Sequence, residues 1–91
     1  MILEDQLESI LQKFIVETFL YGDQSAAPRK EDSFMEKGII DSMGVLELVT
    51  YLETKMGIPV YDEEIIPSNF DSVEKLTRYI KRKRNGGAHA G

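Results

Sequence analysis

Asp41 and Ser42 stand side by side inside "GIIDSMGVLELVTYLE", residues 38–53, where a turn-like stretch gives way to an apolar run with helical spacing. A hydroxyl next to a carboxylate at such a junction can do three things. It can act as a nucleophile, cap the helix, or receive an attached group. A serine hydroxyl is a poor nucleophile at its free pKa and needs a base placed against it, usually a histidine held by a third group. The chain has one histidine, His89, in the glycine-rich stretch "NGGAHAG", and the nearest lysine by sequence is Lys37, ahead of the helix in a loop. No G-x-S-x-G elbow surrounds Ser42. The residues therefore argue against a serine hydrolase.

Capping accounts for part of the pattern. Either side chain can accept a hydrogen bond from an unpaired backbone N–H of the first turn, worth about 1 kcal/mol, and this role suits Asp41. Attachment accounts for more of it. The start of a helix carries positive partial charge and tolerates a phosphate. The long segment before Ser42 leaves room for an incoming enzyme. Glu47 and Glu53 follow on the helix, and Met43, Val45 and Leu48 fall off the expected core stripe, where they offer a partner apolar contacts among the acids. Met43 is equally readable as a gap-filling core residue.

The elements that must position this pair are helices. Leu3, Leu7, Ile10, Leu11, Phe14 and Leu20 recur at helical spacing, with Ile2, Ile15 and Phe19 widening the stripe, and predict a helix over residues 2–20. Residues 21–41 break the pattern at Gly22, Pro28 and Gly38. So long a connection is usually functional or packed on itself, and Phe34 with one of Ile39 and Ile40 is expected to pin it to the core. Helix two is predicted from Ser42 to Met56, with Leu46, Val49, Leu52 and Met56 as its buried stripe and Gly57 ending it. A short third helix is expected near Asp62, closed by Pro67, then a turn with Asp71 or Ser72 as cap. Val73, Leu76 and Ile80, flanked by Tyr79, mark a last helix to about residue 83, with Lys81–Arg84 suiting its C-terminal dipole. No period-two strand pattern and no internal repeat occurs. The fold class is all-α: a small bundle of three longer helices and one short one, in which the first two long helices run near parallel or antiparallel. A single domain over residues 1–84 and a disordered tail over 85–91 are expected.

Composition narrows the function. With 91 residues and no cysteine, the chain can have neither disulfides nor a thiolate metal site, and a single histidine argues against a zinc site. The first residues, "MILEDQLESILQKF", carry early acids and no basic region before an apolar block, so no signal peptide is expected and the expected compartment is the cytoplasm. No stretch has the apolar length of a membrane span. The net charge is −5, and the segment from Asp41 to Glu74 holds eight acids against one base, Lys55, which puts −7 there and +2 on the rest. Such a surface repels nucleic acid and suits partners with basic docking patches, unless it serves only solubility.

The run quoted above resembles the helix-two signature of carrier proteins that bear acyl, peptidyl or D-alanyl groups. In that family a glycine and two aliphatics precede Asp-Ser, and a helix with glutamates follows. "SFMEKGIIDS" is similar to the loop before the site, and "MGIPVYDEEIIPSNFDSVEKLTRYI" to the short third helix, the phenylalanine turn and the last helix. The resemblance covers roughly residues 3–83. It implies a monomeric helical bundle of acyl-carrier type that is not itself an enzyme. Ser42 would receive 4'-phosphopantetheine from coenzyme A through a separate phosphopantetheinyl transferase (holo-ACP synthase). Asp41 would be contacted by that transferase, and partner recognition would involve Asp41, Met43, Glu47, Glu53, Asp62 and Glu63. The partners implied are an acyl- or aminoacyl-loading ligase and a ketosynthase or acyltransferase, with no nucleic acid and no membrane insertion. Carriers of bacterial fatty acid synthesis usually read Asp-Ser-Leu-Asp, whereas this chain reads Asp-Ser-Met-Gly, similar to D-alanyl and some specialised free-standing carriers. The expected cargo is therefore an acyl group of a specialised fatty acid, lipid or polyketide pathway. An aminoacyl or D-alanyl carrier is the alternative, and an unmodified acidic interaction domain a second one.

Overall fold

The structure, a computed structural model, describes residues 6–85. Four α-helices follow in order: α1 (Leu7–Phe19), α2 (Val45–Lys55), α3 (Pro67–Phe70) and α4 (Val73–Arg84). Two 3-10 turns, Gln24–Ala26 and Asp62–Glu64, interrupt the connections, and no strand occurs among the described residues. The all-α bundle expected from the sequence is what forms. Residues 1–5 and 86–91 lie outside the described part, and with them the start of the expected first helix, His89 and most of the expected tail.

The spacing of apolar residues on α1 explains its packing. Leu7, Leu11 and Ile15 recur every fourth residue and are fully buried with Val16. On α4, Val73, Leu76, Tyr79 and Ile80 do the same. These stripes meet Phe34, Ile40, Leu48, Leu52, Ile58 and Phe70 in one core. Tyr79, expected at the flank of its helix, is wholly buried. Phe19 reaches Gly44 and Phe14 stacks on Tyr51 with ring centroids 4.0 Å apart, so α1 and α2 run antiparallel.

The buried stripe of α2 differs from the expected one. Leu48 and Leu52 are buried, Val45, Val49, Tyr51 and Met56 pack against the core, and Leu46 is 53% exposed. The run Val45, Leu46, Leu48, Val49, Tyr51, Leu52 is apolar on most sides, so two stripes fit it. The phase that wins brings Tyr51 under Phe14. Val45 and Leu48 are thus inward residues, not partner contacts. The helix proper also starts at Val45 rather than Ser42, with residues 42–44 forming a turn ahead of it.

The connection from Leu20 to Gly44 is packed on itself and tied to α4. The Gln12 amide donates to the Pro28 carbonyl, the Glu74 N–H to Lys30 O at 2.9 Å, and the Phe34 N–H to Asp71 O at 2.8 Å. The Asp71 carboxylate accepts from the Ser33 hydroxyl and from the Met35 N–H at 3.0 Å. Phe34 and Ile40 turn inward as expected, at 1% and 2% exposure. Ser72, not Asp71, caps α4, accepting from the Lys75 N–H at 3.1 Å. Pro67 opens a helical turn rather than closing one. As the first residue of α3 it has no N–H to leave unpaired, and its fixed φ suits the helix.

Candidate functional site

Ser42 sits on the turn that leads into α2, and this turn is organised by its neighbour. The Asp41 carboxylate accepts from the Gly44 N–H at 2.7 Å, and the Asp41 carbonyl accepts from the Val45 N–H at 3.2 Å. Asp41 therefore does the capping, leaving Ser42 to the solvent. The Ser42 side chain is exposed, and its hydroxyl makes no hydrogen bond among the described residues. The one carboxylate adjacent in sequence is turned to the backbone.

An apolar groove of about 260 Å³ opens beside the serine. Phe34, Ile40, Val45, Leu46, Ile65 and Phe70 form most of its wall, with Ser42 on its border. The rim carries large side chains that reach solvent: Met35 at 51%, Leu46 at 53% and Ile66 at 44% exposure. Met43, next to the serine, is 73% exposed, which excludes the core-filling alternative. At 100° per residue, Glu47 and Glu53 lie about 120° apart around α2, with Leu46 and Thr50 between them on the exposed face. Exposed apolar side chains at Met43 and Leu46 thus lie beside the serine, with Glu47 and Glu53 flanking that face of α2.

The acids of the segment from Asp41 to Glu74 are not one surface. Glu47 and Asp62 are exposed, as is Glu63, and Glu53 is exposed while accepting from the Val60 N–H at 3.2 Å. Asp71 ties the long loop, and Glu74 lies 3.9 Å from Arg78. Glu64 points into the protein. Its carboxylate accepts from Lys83 Nζ at 2.9 Å, the Tyr79 hydroxyl at 2.9 Å and the Tyr61 N–H at 3.0 Å. Burial by itself pushes this carboxyl up, but those three donors outweigh it and hold it below the usual carboxylate range. Burial, then the bond to Glu64, pushes the Tyr79 phenol well above its usual value. Lys83 Nζ also lies 4.5 Å from the centre of the Tyr61 ring. In sequence Glu64 looks like one more surface acid. The available signal was Lys83, which continues the apolar stripe of Val73, Leu76 and Ile80 with a charge that needs a buried partner.

The structure thus places an exposed serine on the turn before the second of four helices, beside an apolar groove and a helix face flanked by acids. The chain is 30% identical over 86 residues to the probable acyl carrier protein PigG of Serratia sp. (strain ATCC 39006), a match that spans 90% of this chain and 98% of PigG. The chain belongs to the acyl carrier protein family. No family model matches it. Among the described residues no helix is long and apolar enough to cross a membrane, and no group of three or more metal-ligating side chains occurs.

Proposed function

We propose that this protein carries acyl intermediates as thioesters on a 4'-phosphopantetheine group attached to Ser42, for a specialised fatty acid, lipid or polyketide pathway. The exposed and unengaged hydroxyl of Ser42 carries the reading, on a turn that Asp41 holds in place. The residues fit the group. The hydroxyl is open to an incoming enzyme, and the apolar groove beside it matches a cargo with hydrocarbon character. When attached, the group supplies a flexible arm ending in a thiol, which this cysteine-free chain does not itself provide.

Asp41 orders the attachment turn and presents a charge to the phosphopantetheinyl transferase. Met43, Leu46 and Ile66 offer that enzyme and later partners an apolar contact. Glu47, Glu53, Asp62 and Glu63 surround it with negative charge that steers basic docking patches and raises the on-rate without requiring tight binding. The partners on this reading are the transferase, a loading ligase, and a ketosynthase or acyltransferase. The chemistry on the thioester belongs to those enzymes, so the protein is their substrate rather than an enzyme, in the cytoplasm.

Loading tests the reading. The phosphopantetheinylated protein is offered a fatty acyl ligase and, separately, an amino-acid-adenylating ligase, each with ATP. A hydroxylamine-labile mass gain with the first and not the second is the expected result. The reverse would assign an aminoacyl or D-alanyl cargo.

A further inference from the structure

Four glycines lie near turns among the described residues, and one differs from the rest. Gly22, Gly38 and Gly57 have positive φ, where a side chain is strained, and open space around them. Gly44 has φ −65° and ψ −24°, backbone that any residue adopts. Its need for glycine is spatial. A Cβ built there would stand 3.0 Å from Ile40 Cγ2, 3.1 Å from Phe19 Cε1 and 3.4 Å from the Asp41 carbonyl oxygen. Such approaches are tighter than ordinary van der Waals contact, so something must yield.

Neither side chain is at a free end. Phe19 packs edge-on against Phe14 at 6.1 Å, and Phe14 stacks on Tyr51, seven residues beyond Gly44 on the same side of α2. Ile40 is 2% exposed, in the core. The end of α1 therefore clasps α2 at two points, by ring stacking at Tyr51 and by close approach at Gly44. The softest partner in the second contact is the turn of residues 41–44, which is exposed and held mainly by the Asp41 cap.

We propose that Gly44 is a positioning residue for Ser42: the missing side chain lets Phe19 and Ile40 close on the attachment turn and so fixes where the serine is presented. This rests on Ser42 being the attachment residue. Gly44→Ala shifts the turn rather than the core, and the shift reaches the reacting hydroxyl two residues away. Reactions tolerate small misplacement of the nucleophile poorly.

The test is steady-state phosphopantetheine transfer, with coenzyme A, Mg²⁺ and a broad-specificity transferase, read by intact mass. Gly44→Ala is expected to lower kcat about tenfold with KM for the carrier within about twofold. Its thermal midpoint is expected to stay within a few degrees, since the exposed turn yields rather than the packed core. Trimming the clashing ring, as Phe19→Leu in the Gly44→Ala background, is expected to recover most of the lost kcat. An unchanged kcat in Gly44→Ala overturns the proposal, and so does a loss that Phe19→Leu leaves in place. Wild-type protein that gains no mass overturns the assignment of Ser42, and the positioning role falls with it.

Discussion

The turn at Ser42 and the pocket around Glu64 each put a polar side chain against apolar surface, in opposite ways. Glu64 Oε1 accepts from three donors, brought to it from α4 and from its own 3-10 turn, and both Glu64 and Lys83 have 7% side-chain exposure. Ser42 has none among the described residues, and the exposed apolar side chains of Met43 and Leu46 stand near it. Satisfied polarity belongs to stability and unspent polarity to encounters with other molecules. The two acids Glu47 and Glu64, alike in sequence and both in the acidic segment, fall on opposite sides of that division.

Breaking the buried pair should give the largest effect on folding and leave Ser42 untouched. Lys83→Met strands the Glu64 carboxylate and is expected to cost about 3 kcal/mol in urea unfolding, whereas Glu64→Gln with Lys83→Met should recover much of it. The rate of modification at Ser42 should be the same in the double variant as in wild type. A slowed rate would mean that the two regions are coupled. Because the folded state holds the Glu64 carboxyl below its unfolded value of about 4.3, the pair's contribution is present above that pH and is lost as pH falls through the folded value. The steepest acid loss of stability should therefore flatten in Glu64→Gln, measured as the urea midpoint against pH.

Asp41 lies between the two kinds of site, since it caps a turn and also faces solvent. Asp41→Ala should cost about 1 kcal/mol of thermal stability, and Asp41→Asn, which keeps an acceptor, much less. If Asn also keeps the modification rate, Asp41 acts through the cap alone. If it does not, the charge has its own role at the transferase. The smallest effect is expected at Glu47. Glu47→Lys should leave stability within about 0.5 kcal/mol and slow modification severalfold, and added salt should slow wild type in the same direction. Insensitivity to both would remove Glu47 from the recognition face.

The helices and the capping role of Asp41 were legible because each depends on neighbours in sequence. Leu7, Leu11 and Ile15 define α1 by spacing, and Asp41 meets Gly44 three residues on. What could not be read depends on contacts distant in sequence. The phase of α2 is set by Phe14 against Tyr51, and the run itself accepts either phase. The inward turn of Glu64 needs Lys83, nineteen residues away. The crowding that a Cβ at position 44 would meet comes in part from Phe19, on another helix. Pro67 is ambiguous in sequence because proline ends helices and the same ring starts them, as it does here.

The central claim is that Ser42 takes the phosphopantetheine, and intact mass after incubation with coenzyme A, Mg²⁺ and a broad-specificity transferase tests it most directly. One phosphopantetheine should add to the wild-type protein and none to Ser42→Ala, with both showing the same helical circular dichroism. No addition to a folded wild type, or an equal addition to Ser42→Ala, would contradict the claim, and the former would make an unmodified acidic interaction domain the better reading.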